Sequence, residues 1–311
     1  MANTILDTIG KTPLVELQHM ELNPGVRVFA KLEGQNPTGS LKDRIARSMI
    51  EKSEREGTLT KDKVILEPTS GNTGISLAFV GKLKGYRVKV VMPENVSIER
   101  SQLLLAYGAE IVYSDGAKGT NGSITVAQEM AQSGESDYFM PYQYGNHANP
   151  DAHYETTGCE IIDECPDVDM FVAGLGTGGT LMGVGQRLKE HNPDVKIIAV
   201  APEPGDYIQA LRSLEEGFIP PILDLSLLDS RIMISSVDAF HMTKDLLHRE
   251  GIFAGISSGS VVLGAMKMAR RMEKGTIVCL LADGGWKYLS TGLWTKDSGE
   301  MGEEAKGKIW W

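Results

Sequence analysis

The lysine at position 42 is the residue whose setting most invites chemistry. It stands in Asn36-Pro37-Thr38-Gly39-Ser40-Leu41-Lys42-Asp43-Arg44. Asn-Pro and Thr-Gly punctuate a loop, because proline fixes φ and glycine permits unusual backbone angles. Ser40 is suited to an N-cap, and Leu41, Ile45, Met49 and Ile50 then recur at helical spacing. Lys42 is therefore expected on the first turn of a helix. The positive end of the helix dipole disfavours an ammonium there and favours a neutral amine. A neutral amine can attack a carbonyl and form a Schiff base. The plain alternative is a solvated surface lysine, and three further stretches weigh against it.

The first is Gly176-Thr177-Gly178-Gly179-Thr180, between a strand pattern and a helix pattern. Helix N-terminal amides lack intrahelical partners and carry partial positive charge, so they suit a phosphate. Glycines let those amides close on it, and two threonine hydroxyls can donate as well. Read from Gly174, the loop fits G-x-G-x-x-G, but Ala199-Val200-Ala201 stands where the dinucleotide fold needs an acidic residue. No lysine follows as in a Walker A loop. A single phosphate on a small cofactor fits best, and a glycine turn used only for packing is the alternative. The second stretch, Thr69-Ser70-Gly71-Asn72-Thr73, could hold a carboxylate at a helix N-terminus, or could equally be a capping arrangement. Asn72 adds a neutral donor that could reach a phenolic oxygen. The third, Ser257-Ser258-Gly259, is weakest alone, since serine before a helix is usually an N-cap.

The elements that must position these residues alternate. Strands are expected at 26–32, 64–66, 87–92, 110–113, 170–173, 196–201 and 276–281. Helices are expected at 42–56, from after Gly74 to 83, and at 97–107, 121–132, 153–164, 179–190, 207–214, 237–250 and 259–272. Short β-rich runs alternating with helices predict a mostly parallel α/β sheet. The start, through Leu14-Val15, reads as irregular. The pattern restarts after Pro150, so two α/β halves are expected to meet there, with the ligand cleft between them.

Composition narrows the class. The 311 residues carry a net charge of −10 with no Lys/Arg tract, which argues against nucleic-acid and anionic-membrane binding. No run of eighteen apolar residues occurs, and residues 1–14 lack the layout of a signal peptide. Cys159, Cys165 and Cys279 have no metal-ligand spacing, so no metal is expected and Cys279 reads as inert core. The chain reads as cytoplasmic with reduced thiols. His147 and His153 read as packed or solvated rather than catalytic.

Taken together these residues resemble the fold-type II pyridoxal-phosphate enzymes, and within them the cysteine synthases. Further resembling segments are Thr8-Ile9-Gly10-Lys11-Thr12-Pro13-Leu14-Val15, Lys31-Leu32-Glu33-Gly34, Gly251-Ile252-Phe253-Ala254-Gly255-Ile256 and Lys287-Tyr288-Leu289-Ser290-Thr291. The resemblance spans nearly the whole chain. It implies two twisted, mostly parallel sheets flanked by helices, as in the tryptophan synthase β fold. It implies a smaller mobile domain at 37–150, and a larger cofactor-phosphate-binding domain made of 1–36 and 151–311 with a C-terminal tail. By this resemblance Lys42 holds pyridoxal 5′-phosphate through an imine, Asn72 bonds its O3′, and Gly176, Thr177, Gly178, Gly179 and Thr180 bind its phosphate. Ser257 faces the pyridine nitrogen, and Thr69, Ser70, Asn72, Thr73 and Gln143 surround the substrate carboxylate. A serine hydroxyl at that nitrogen leaves the ring a weaker electron sink than a carboxylate would, favouring loss of a β-leaving group over transamination. Lys42 is then the base for the Cα proton, and an α-aminoacrylate accepts a sulfur nucleophile to give cysteine.

Tyr142-Gln143-Tyr144-Gly145-Asn146, the run from Ala210 to Phe218 and Ala282-Asp283-Gly284-Gly285-Trp286-Lys287-Tyr288 resemble the actinobacterial type B cysteine synthases. Those enzymes take O-phosphoserine and a thiocarboxylated sulfur-carrier protein. The resemblance implies that Arg212 meets the substrate's phosphate, as a planar fork of donors suits. The alternative for Arg212 is a surface ion pair with Glu215 or Glu216. The chain departs from the subgroup at Gly178, where threonine can stand, and in ending Trp310-Trp311, a pair that could pack on the body of the chain, on a dimer partner or over the cleft, the resemblance favouring the cleft. A homodimer is implied. An O-acetylserine enzyme using free sulfide, a serine/threonine dehydratase on the same scaffold and a non-catalytic binding protein are the competing readings.

Overall fold

A computed structural model describes residues 2–69, 71–134 and 137–295. Ser70 and the tail ending Trp310-Trp311 lie outside the described residues. The strands are β1 (Leu14–Glu16), β2 (Val26–Leu32), β3 (Val64–Pro68), β4 (Arg87–Pro93), β5 (Glu110–Ser114), β6 (Tyr138–Phe139), β7 (Met170–Gly174), β8 (Lys196–Pro202), β9 (Ser230–Ile234) and β10 (Gly275–Leu281). The helices are α1 (Lys42–Arg55), α2 (Asn72–Lys84), α3 (Ile98–Ala106), α4 (Gly119–Gln132), α5 (Ala148–Ala152), α6 (Gly158–Glu164), α7 (Gly179–His191), α8 (Ser236–Glu250) and α9 (Ile256–Ala269).

Two sheets result. One runs β1-β2-β10-β7-β8-β9 and the other β5-β4-β3-β6. Every pairing is parallel except β1 with β2. Parallel strands need crossover helices, which cover both faces, and strands buried on both faces read as continuous apolar runs. In β10, Ile277, Cys279 and Leu281 pack with α8 and α9, while Val278 and Leu280 pack with α6 and α7. Cys279 is fully buried, as expected of inert core. The second sheet buries Ile65, Val88, Val90 and Met92 against α1 and α2. Among the described residues no helix is long and apolar enough to cross a membrane, and no group of side chains is arranged to hold a metal ion.

Three expectations need correction. Residues 207–213 form a loop, not a helix, and Leu214 opens a single 3-10 turn to Glu216. Ala210 takes φ +68, which a right-handed helix forbids, and Arg212 N donates to Leu175 O at 2.7 Å. That bond ties the segment to the start of the glycine loop. The helix expected at 153–164 starts earlier, as α5, and widens into a π turn at His153–Thr157 before α6. Helix α7 crosses closely there: a Cβ on Gly183 would lie 2.1 Å from the Pro150 carbonyl oxygen. Leu14-Val15 belongs to β1 rather than to irregular chain. In addition β6, of two residues, and β9, which begins with the exposed pair Ser230 and Arg231, were not anticipated.

Candidate active site

Lys42 is the first residue of α1. Ser40 precedes the helix by two residues, pairs with Asp283 in a β-bridge, and accepts from the Lys42 amide at 3.3 Å. The Leu41 amide donates to the Ala282 carbonyl at 2.9 Å, so the lysine's base is fastened to the end of β10. Lys42 is partly exposed and lines the cleft. Burial pulls its amine down to about 8, against the opposing pull of the Asp283 and Glu67 carboxylates. The lowered amine expected at the helix start is present, and its cause is desolvation.

The cleft has two adjoining compartments that share Lys42, Asn72, Gly176 and Thr177. The first is lined by Lys42, Thr69, Asn72, Thr73, Gln143, Gly176, Thr177 and Arg212. The second is lined by Lys42, Asn72, Gly176, Thr177, Gly178, Thr180 and Ser257. Residues from separate loops, singled out from the sequence, therefore face one space. Gly179 stands behind the loop against Asn149.

The glycine loop opens α7, with Gly178 at φ +89, a conformation that costs a residue bearing a Cβ. A Cβ on Gly176 would lie 2.8 Å from the Ala210 carbonyl. Thr177 Oγ1 accepts from Asn149 Nδ2 at 3.0 Å and from the Gly179 amide at 3.3 Å, which leaves its own proton to donate into the cleft. Thr180 Oγ1 meets His153 Nε2 at 3.3 Å, and the other ring nitrogen meets Thr157 Oγ1 at 3.0 Å. His153 is packed, as expected, and burial drives its pKa well below the usual value. A neutral imidazole bridging two hydroxyls is a support for the loop rather than a charge in the site.

Asn72 opens α2 on the opposite wall. Thr73 Oγ1 donates to Gln143 Oε1 at 2.7 Å, joining the threonine loop to the 142–146 segment. That segment is held by Glu67, whose carboxylate accepts from the Tyr142 and Gln143 amides at 2.8 and 3.0 Å. Burial pushes Glu67 up to about 7, opposed by those amides and by Lys42. Ser257 is the second residue of α9, inside the helix rather than before it. Its buried Oγ has no hydrogen-bond partner among the described residues.

Arg212 is not the surface ion pair its neighbours suggested. It is 8% exposed and lines the first compartment. Its Nη1 donates to Asn121 Oδ1 at 3.0 Å, and its guanidinium lies over the Phe218 and Tyr144 rings at 4.6 and 5.4 Å. Glu215 instead bonds Ser213 and Arg231. The sequence reading passed over Glu67, Asn149, Asn121 and Arg100, which support or line the cleft. Glu67 alone carried a signal, as a carboxylate inside the apolar run of β3.

A phosphorylated aldehyde with an aromatic nitrogen fits this arrangement. Amides and threonine hydroxyls at a helix N-terminus suit its phosphate, a desolvated lysine suits its aldehyde, and the unpartnered Ser257 hydroxyl suits its ring nitrogen. Comparison with known proteins agrees. The family model described as "Pyridoxal-phosphate dependent enzyme" matches residues 5–283, and the chain belongs to that family. It is 44% identical over 305 residues to a cysteine synthase of Staphylococcus aureus, covering 95% of this chain and 98% of that protein. A hydrogen sulfide-producing enzyme from Fusobacterium nucleatum is 41% identical with a TM-score of 0.88, covering 93% of this chain and 100% of that one. The cysteine synthase of Entamoeba histolytica is 36% identical with a TM-score of 0.88, covering 99% and 96%. The protein is thus a pyridoxal-phosphate-dependent β-replacement enzyme with the fold-type II architecture, homologous to cysteine synthases.

Proposed function

We propose that the enzyme makes L-cysteine from O-phosphoserine, with sulfur delivered as sulfide or as the thiocarboxylate of a carrier protein. The observation that carries this reading is Arg212, buried at the cleft wall, its guanidinium braced by two rings and Asn121. A rigid, permanently charged fork suits a phosphate dianion and has no counterpart need in an acetyl ester.

Bound pyridoxal phosphate supplies the electron sink that labilises the substrate's Cα proton. In this reading the Gly176–Thr180 loop holds its phosphate, Asn72 donates to its O3′ and Ser257 donates to its ring nitrogen. Thr69, Ser70, Thr73 and Gln143 receive the substrate carboxylate. Lys42 would hold the cofactor's aldehyde and, once released, would take the substrate's Cα proton; burial, which lowers its amine, supports that role as a base. Arg212 draws the departing phosphate away. Residues 37–150 are read as a smaller unit that closes on 1–36 and 151–311, excluding water from the reacting centre. The same reading takes the enzyme as a cytoplasmic homodimer.

A substrate comparison tests it. Purified enzyme with sulfide should show a higher kcat/KM for O-phosphoserine than for O-acetylserine. The reverse preference would make it an O-acetylserine sulfhydrylase. Ammonia and keto acid released without a nucleophile would make it a dehydratase.

A further inference from the structure

The segment from Ala282 to Tyr288 folds back behind Asn72 and grips both ends of its side-chain amide. Lys287 Nζ donates to Asn72 Oδ1 at 2.7 Å, and Asn72 Nδ2 donates to Asp283 Oδ2 at 2.7 Å. An ammonium offers only donors and a carboxylate only acceptors. Turning the amide over would set donor against donor and acceptor against acceptor, so the two partners together enforce one orientation. Both partners are themselves fixed. Lys287 and Asp283 are 0% and 1% exposed. The Tyr288 hydroxyl donates to Asp283, and the Lys287 carbonyl accepts from Ser97 Oγ at 2.7 Å. One Nδ2 hydrogen of Asn72 remains, and Asn72 lines both compartments of the cleft.

We infer that Asp283 and Lys287 are positioning residues that clamp the Asn72 amide with its free N–H aimed into the cofactor site. This rests on the reading that Asn72 donates to the cofactor's phenolic oxygen. An unclamped amide could flip and set its carbonyl oxygen against that oxygen, which bears negative charge. The clamp removes that alternative before the cofactor arrives, so no binding energy goes into ordering it. It also gives the Asp-Gly-Gly-Trp-Lys-Tyr run a job that neither the phosphate loop nor Arg212 explains.

The test compares the visible absorption spectrum and the cofactor dissociation constant of the wild type with those of Asn72→Ala, Lys287→Met, Asp283→Ala and the doubles with Asn72→Ala. Circular dichroism checks that each variant folds, and either clamp variant suffices. Each single variant should shift the visible band and weaken cofactor retention on the order of tenfold, as loss of one hydrogen bond does. Each double should match Asn72→Ala alone, because the clamp acts through Asn72. An Asn72→Ala spectrum equal to wild type would overturn the underlying role of Asn72. A shifted Asn72→Ala with unshifted clamp variants, or with additive doubles, would overturn the clamp alone.

Discussion

Gly179 and Asn149 are in contact with no space between them: a Cβ built on Gly179 would lie 1.9 Å from Asn149 Oδ1. The same asparagine donates from Nδ2 to Thr177 Oγ1 and to the Gln143 carbonyl, at 3.0 and 2.9 Å. It therefore joins the glycine loop to the 142–146 segment that forms another wall of the cleft.

Gly179→Ala should push Asn149 away and break that junction. Overpacking of this kind costs about 1 to 3 kcal/mol. The variant should lose cofactor on dialysis faster than wild type, with a lowered Tm. A variant that keeps its cofactor as wild type does would mean that the loop tolerates the shift.

Glu67 gives a pH prediction. Its carboxyl is raised from about 4.5 to about 7 by burial. Between those values the folded protein holds a proton that the unfolded chain has released. Stability contributed by this group is therefore full below about 4.5 and declines as pH rises toward 7. The loss is at most on the order of 3 kcal/mol for a shift of this size. Glu67→Gln, which stays neutral, should flatten that decline in thermal unfolding measured across the range. Parallel pH curves for the two proteins would contradict it.

Much of this arrangement was legible in the sequence, and the reasons differ by residue. β2 was read at its full extent because its flanks carry turn residues and its interior is β-branched and aromatic. Lys42, Asn72 and Thr177 were found because each lies where a strand pattern gives way to a helix pattern. Arg212 was drawn into a helix because Ala210-Leu211-Arg212 has helical propensity; the Arg212 to Leu175 backbone bond overrides it, and such a bond has no local signal. Asn149 looked like one more polar residue beside Pro150. Its contact with Gly179 spans 30 positions and exists only once α5 meets α7. The roles of Asp283 and Lys287 were hidden for the same reason, since Asn72 is more than 200 positions away.

Arg212→Ala should lose on the order of 2 to 4 kcal/mol of transition-state binding for O-phosphoserine, as when one partner of a charge-assisted pair is removed. O-acetylserine carries no dianion, so its kcat/KM should change little. Steady-state kinetics with both substrates separate the cases. Equal losses would make Arg212 a structural residue that braces Tyr144 and Phe218.

The central claim is that Lys42 is the cofactor's covalent partner. The protein offers its own competitor, because Lys287 is also buried and its amine is also lowered to about 8. Borohydride reduction of the holoenzyme, followed by proteolysis and mass spectrometry of the labelled peptide, decides between them. The account predicts the reduced pyridoxyl group on Lys42, and loss of both label and turnover in Lys42→Ala. A label on Lys287, or on any other lysine, would contradict it.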